Sequence, residues 1–150
     1  MPSIEFIIGP VVKRGRVDQT RRIPHNMSNQ RMHWAERRRW NQLWQDVLGW
    51  EIQANRSKFP ILPLKFATIK ILFKMVRPYD RDGAYNASKP LIDALKVNKG
   101  YVKLGRKMTV PVLGAGVIQD DSAKYCDIEV WTEKVDKYSL ERTIVKIAWK

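Results

Sequence analysis

The sequence predicts a mixed α+β domain, and three observations carry that prediction. Apolar side chains recur every three or four positions over residues 32–54, alternate with polar ones over 65–76, and alternate again over 124–132 and 142–149. Neither a repeat, a low-complexity tract nor a Pro/Gly/Ser-rich linker separates these stretches, so helices and strands are expected to share one core.

The chain has 150 residues, enough to bury roughly two thirds of the surface that its unfolded form exposes. Its apolar fraction of 44%, with six Trp, five Tyr and four Phe, describes a packed core and not a disordered basic tail. With 15 Asp and Glu against 28 Lys and Arg, the formal charge is +13, and a polyanionic partner, first of all nucleic acid, is expected. Cys126 is the sole cysteine, which excludes an intrachain disulfide and a multi-cysteine zinc site and predicts a reducing compartment. No apolar run approaches bilayer-spanning length, and Pro2, Glu5 and Pro10 stand where a signal peptide needs a basic head and a long apolar stretch. A soluble, cytoplasmic protein without membrane contact is expected.

Taken in order, residues 4–8 form a short apolar run ended by Gly9-Pro10, which suits a first strand. The basic stretch 13–22, with Gly15 and no apolar period, reads as a loop or as the second strand of a loose hairpin. Residues 24–30 are turn-and-cap sequence, in which Ser28 or Asn29 can cap the next element. A helix is expected over 32–54: Trp40, Leu43, Trp44, Val47, Leu48 and Ile52 share one face, and Arg38, Gln42 and Asp46 the other. Trp40 and Trp44 therefore belong in the core, and Trp34 is the aromatic best suited to exposure. Near its start stand Arg31, Arg37, Arg38 and Arg39, where a helix already bears partial positive charge. Each costs on the order of 0.3 kcal/mol unless an anion arrives, so they read either as phosphate contacts or as a solvated arginine face. His25 and His33 each lack a second His or Cys at zinc-ligand spacing.

Phe59-Pro60-Ile61-Leu62-Pro63 breaks the chain. Over 65–76, Ala67, Ile69, Ile71, Phe73 and Met75 face one way and Thr68, Lys70, Leu72 and Lys74 the other, a half-buried strand expected at the centre of the sheet. Pro78 ends it, and Asp80-Arg81-Asp82-Gly83 is expected to form a turn. Ala87, Leu91, Ile92 and Leu95 mark a second helix that stops near Asn98-Lys99-Gly100. Either it starts near Ala84, which places Pro90 inside it at a cost of about 3 kcal/mol, or Ser88 caps it and Pro90 lies in its first turn. The segment 98–116 carries Lys99, Lys103, Arg106 and Lys107; strand character over 108–113 suggests a small hairpin, which Gly114 to Gly116 turn back. Strands over 124–132 and 142–149 complete the chain.

In a chain so poor in acid, the clusters Asp80-Arg81-Asp82 and Asp120-Asp121 need a reason, because carboxylates placed at random weaken the field that draws a phosphate backbone in. An Asp-x-Asp turn by itself is most often ordinary strand-end or cap sequence. Strand, Asp-x-Asp, helix, then Asp-Asp before another strand is nevertheless an order in which distant acids can meet at one end of a sheet. Asp80 and Asp82 can both reach one ion if the turn is extended, and hard Mg²⁺ takes oxygen ligands from a few carboxylates, water and a substrate phosphate.

On Asp80-Arg81-Asp82, Lys89-Pro90-Leu91-Ile92-Asp93-Ala94-Leu95 and Gly116-Val117-Ile118-Gln119-Asp120-Asp121-Ser122-Ala123-Lys124-Tyr125, the chain resembles the RusA-like Holliday junction resolvases carried by phages and prophages. The run Arg31-Met32-His33-Trp34-Ala35-Glu36-Arg37 resembles the entry to that family's first helix. The resemblance implies an α+β fold with a small mixed sheet and two helices, acting as a Mg²⁺-dependent homodimer on four-way DNA junctions in recombination and repair. It implies metal-binding acids at Asp80, Asp82 and Asp121, with Asp120 as the adjacent alternative, and an essential lysine at Lys89. Mn²⁺ is expected to replace Mg²⁺. Two positions depart from the family: Gly83 stands where Asn usually follows the Asp-x-Asp, and the link over 98–115 is longer.

Residues and resemblance together point to metal-assisted phosphodiester hydrolysis, with Lys89 offsetting charge on the transition state or the leaving oxygen. Arg31, Arg37, Arg38, Arg39, Lys103, Arg106 and Lys107 are expected to hold DNA phosphates. Two other readings use the same residues: a non-catalytic DNA- or RNA-binding protein in which the acids merely cap a turn, and a metal nuclease for other branched DNA.

Overall fold

A computed structural model describes residues 1–9, 12–13, 16–17 and 34–150, excepting the side chains of 12–13, 16–17 and 34–40. The first strand, β1 (Ser3–Ile8), buries Ile4, Phe6 and Ile8 and turns Glu5 and Ile7 outward, as its alternation requires. The short strands β2 (Val12–Lys13) and β3 (Arg16–Val17) pair antiparallel, so both strands of a small hairpin fall at 12–17, where the basic stretch was expected to supply only a second strand; residues 18–22 lie outside the described residues. Helix α1 (Trp34–Ala54) ends where expected, and the two residues before Trp34 in its expected range lie outside the described residues. Its described side chains follow the sequence pattern: Trp44, Leu48 and Ile52 are buried, whereas Gln42 and Asp46 are exposed and hydrogen-bonded, Nε2 to Oδ1, at 2.9 Å.

Strand β4 (Ala67–Met75) is interior, as its period-two pattern predicts: with β7 (Cys126–Lys134) and β8 (Arg142–Trp149) it belongs to a four-stranded sheet ordered β1-β8-β4-β7. It pairs antiparallel with β8 and parallel with β7, so the sheet is mixed. A parallel neighbour needs a crossover, and everything from residue 76 to 125 is that crossover. One face of the sheet joins Trp44, Leu48 and Ile52 of α1 and Ala87, Leu91 and Leu95 of the second helix in a single hydrophobic cluster reaching from Ile4 to Trp149. Among the described residues no helix is long and apolar enough to cross a membrane.

The second helix, α2 (Arg81–Leu95), begins earlier than either expected start, and Asp80-Arg81-Asp82-Gly83 is its first turn and not a separate one. Asp80 takes the extended N-cap conformation, its Oδ1 accepting from the Gly83 N–H at 2.7 Å, and its carbonyl accepts from Ala84 N–H at 2.9 Å. Pro90 accordingly lies inside the helix and removes the donor for the Asn86 carbonyl. The buried stripe of Ala84, Ala87, Ser88, Leu91, Ile92, Ala94 and Leu95 supplies the packing that offsets that loss. The helix ends at Leu95, before the expected stop, because Asn98 already belongs to a strand: β5 (Asn98–Leu104) and β6 (Met108–Leu113) form an antiparallel hairpin.

The return from this hairpin positions the second acidic cluster. The N–H groups of Ala115, Val117 and Ile118 donate to the carbonyls of Ala94, Leu95 and Leu95 at 2.7, 2.9 and 3.2 Å, and Gly116 N–H donates to the Lys96 carbonyl at 3.2 Å. These bonds satisfy carbonyls that the end of α2 leaves open and lay residues 114–118 along it. Leu64 N–H donates to the Val117 carbonyl at 2.8 Å, tying the same stretch to the entry of β4. Gly114 permits the close passage, since a Cβ there would run into the Lys96 carbonyl oxygen.

Candidate functional site

Beyond Ile118 the chain turns over the C-terminal half of α2 and brings Asp120 and Asp121 to two lysines of that segment. Lys89 Nζ donates to Asp121 Oδ2 at 3.0 Å and lies 3.8 Å from Asp93 Oδ1, one helical turn on. Lys96 Nζ lies 3.2 Å from Asp93 Oδ1, 3.5 Å from Asp121 Oδ1 and 3.6 Å from Asp120 Oδ1. Two ammonium groups are thus threaded between three carboxylates. Their exposures differ in a way that matters: the Lys89 side chain is 61% exposed, that of Lys96 only 14%. Lys96 is a fixed internal counter-ion, whereas an exposed lysine pair is worth about 0–1 kcal/mol and can be given up to another partner at little cost.

The electrostatics follow from that packing. Burial alone raises the Asp121 carboxyl, but hydrogen bonds from Lys89 and with Asp120, together with the charges of Lys89 and Lys96, hold it down at about 2. Asp121 is therefore a carboxylate throughout the physiological range. Burial lowers Lys96, yet Asp93 and then Asp121 outweigh it and raise the group above its ordinary value. Cys126, at the foot of β7, goes up to about 11 through burial and then the charges of Asp121, Asp120 and Asp127; its Sγ is a weak donor to the Asp120 carbonyl at 3.6 Å. It is a packing thiol, not a nucleophile.

Of the sequence-derived site residues, the structure brings Lys89, Asp120 and Asp121 together and leaves the Asp-x-Asp pair at the other end of the helix. Asp80 and Asp82 are exposed in the first turn of α2, Asp80 engaged with Gly83, and no hydrogen bond or ion pair among the described residues joins either to Asp120 or Asp121. Asp82 stands two turns, roughly 10 Å along the axis, before Lys89. Sequence reasoning missed the structural part played by Asp93 and Lys96. Their spacing was a usable signal: Lys89 and Asp93 at i,i+4 and Asp93 and Lys96 at i,i+3 fall on one helical face. Lys103, Arg106 and Lys107 are exposed on the hairpin. Arg31 lies outside the described residues, as do His25 and His33, and so do the side chains of Arg37, Arg38, Arg39, Trp34 and Trp40, whose backbone lies in α1.

The donor chemistry suits a hard cation, because every acidic group at this end of α2 offers oxygen and one cation, the Lys96 ammonium, already sits among three carboxylates. The spacing is that of a lysine-bridged cluster: among the described residues no three His, Cys, Asp or Glu are gathered closely enough to hold a metal ion between them. In comparisons with protein-family models, with curated proteins and with solved structures, nothing matches the chain.

Proposed function

We propose that the chain is a Mg²⁺-dependent endodeoxyribonuclease that cuts four-way DNA junctions, working as a twofold homodimer in the cytoplasm. What supports the reading is a single contact: Lys89 Nζ on Asp121 Oδ2 at 3.0 Å joins two of the sequence motifs on which the RusA-like resemblance rests, at a place open to solvent. The +13 charge supplies the attraction for a phosphate backbone, and the carboxylates on α2 and at Asp120-Asp121 are the exception within it.

Mg²⁺ would draw on Asp121 and the adjacent Asp120, whereas Asp80 and Asp82 stand at the other end of α2 and would reach the same ion only after a rearrangement; the ion would supply Lewis-acid polarisation of the phosphate and a more acidic attacking water. Asp121 is suited to a ligand's part because its neighbours keep it ionised. Lys89, the exposed counter-ion of Asp121, would be the residue that offsets charge on the transition state or the leaving oxygen, since an exposed ion pair is given up to another anion at little cost. Lys96 stays in place and keeps Asp93, Asp120 and Asp121 from repelling one another. A dimer matters because a four-way junction has approximate twofold symmetry and its resolution takes paired cuts.

A second reading has its own observation. Since no three acids are gathered at chelating distance among the described residues, the cluster also suits a salt-bridged clamp in a basic protein that binds branched DNA without cutting it. Incubating the protein with synthetic four-way DNA with and without Mg²⁺ decides between them. Paired symmetric nicks that require the metal are expected; binding with no cleavage in Mg²⁺ or Mn²⁺ establishes the second reading, and cleavage undiminished in EDTA overturns the metal mechanism.

A further inference from the structure

The hairpin β5–β6 exposes more apolar surface than a solvated ribbon needs. Tyr101, Leu104, Met108 and Leu113 are 70%, 54%, 59% and 64% exposed. The register pairs Leu104 with Met108 and Val102 with Val110, so these four share one face, while Lys103, Thr109, Tyr101 and Pro111 share the other. Between the two strands stand Gly105, at φ +74°, then Arg106 and Lys107. From 98 to 113 there are four cations, Lys99, Lys103, Arg106 and Lys107, and no carboxylate.

Among the described residues, contacts hold the root of this ribbon and none holds its tip. Gln45 of α1 donates through Nε2 to the Leu113 carbonyl at 2.9 Å and accepts through Oε1 from Lys99 Nζ at 2.6 Å, so one side chain grips both strands. The result is a two-stranded arm whose outermost cross-strand pair, Leu104 opposite Met108, is apolar and ringed by positive charge. A polyanion that also offers an apolar interior fits this combination, and DNA does so where its stack is open: two-stranded ribbons fit its grooves, and Leu or Met wedges enter base steps flanked by phosphates. Two side chains are too little apolar area for stable anchoring in a bilayer.

We propose that the β5–β6 hairpin is a DNA-opening arm, in which Leu104 and Met108 enter an unstacked base step at the branch point while Lys103, Arg106 and Lys107 hold the flanking phosphates. The inference rests on the reading of the chain as a branched-DNA protein and goes beyond it by assigning the residues that separate bases. Arm and active site are joined, because Gly114 to Ile118 run directly from β6 to Asp120-Asp121 along the end of α2.

The test uses the full chain and a four-way DNA junction with 2-aminopurine at the crossover, in EDTA so that nothing is cut. Wild type is expected to raise the fluorescence severalfold. The L104S/M108S variant should bind with an unchanged salt slope and lose most of that rise, whereas R106S/K107S should lower the slope by up to about two units. The tip is exposed, so both variants should keep the wild-type circular dichroism. An equal rise with L104S/M108S overturns the wedge. So does a change of oligomeric state in that variant, which would make the tip a contact between copies, or a loss confined to phosphatidylserine vesicles, which would make it a lipid contact. Wild type that opens the crossover but cuts nothing in Mg²⁺ refutes the nuclease and leaves the arm standing; cleavage without any rise refutes the arm alone.

Discussion

Lys89 and Asp121 are 32 residues apart in sequence and 3.0 Å apart in space. The contact rests on two independent devices: α2 fixes the lysine, and the backbone bonds of 115–118 to the end of that helix fix the carboxylate. Either element alone would leave the pair to chance, because an exposed ion pair does not hold two segments together.

If Lys89 acts on the transition state, Lys89→Ala lowers kcat on four-way DNA about a hundredfold or more and leaves binding almost unchanged. Single-turnover kinetics and a gel-shift titration measure the two quantities separately. An equal loss in affinity would make the residue a phosphate anchor.

Asp80 has two parts that substitution can separate. Asn caps a helix about as well as Asp, so Asp80→Asn should leave the melting temperature nearly unchanged while abolishing cleavage and preserving or strengthening DNA binding. Asp80→Ala should lose cleavage and also about 1 kcal/mol of stability, read by urea denaturation. Full activity in Asp80→Asn or Asp82→Asn would remove the site from the first turn of α2.

The broad architecture was legible because it depends on periodicity. The period of two over Ala67 to Met75 and the apolar stripe of Trp44, Leu48 and Ile52 both reappear as buried faces. What failed was punctuation. Pro90 argued for a late start to α2, whereas the Asp80 cap and the buried Ala84 and Ala87 outweigh one missing hydrogen bond. Asp120 and Asp121 could be named from sequence, but their distance from Asp80 and Asp82 could not, since it depends on how 114–118 dock on α2. Asp93 and Lys96 were overlooked because a helical ion pair looks like ordinary surface until a third carboxylate is folded onto it.

Asp121 makes stability depend on acid. Its folded value of about 2 lies below the ordinary 3.8, so its ionised form contributes stability that is fully present above about pH 4 and is lost as pH falls towards 2. Allowing for the exposure of Lys89, the contribution is about 1–2 kcal/mol. Denaturant titrations at pH 6 and pH 2.5 should show wild type losing about two thirds of this increment and Asp121→Asn lacking it at both; a wild-type loss matched in full by the mutant would place the acid sensitivity elsewhere.

Gly114 tests whether the docked return strand positions the site. A Cβ at this residue meets the Lys96 carbonyl oxygen and lies 3.0 Å from the Ala94 carbonyl oxygen, both backbone atoms that cannot swing away as a side chain would. Gly114→Ala must therefore push 114–116 off the end of α2, stretching the bonds from Ala115 and Gly116 to Ala94 and Lys96. A cost of about 1–3 kcal/mol is expected from such crowding. Because Asp120 and Asp121 follow on the same strand of chain, their distance from Lys89 should grow with it, and cleavage should fall further than the lost fraction of folded protein accounts for. Excising the hairpin between 99 and 112 while keeping Gly114 should do the opposite: the docking bonds remain, DNA is still cut, and discrimination of four-way from linear DNA declines. Parallel measurement of urea stability and of cleavage on both substrates separates the two effects. A Gly114→Ala protein that is destabilised yet cuts at the wild-type rate per folded molecule would show that the site tolerates a loose return strand.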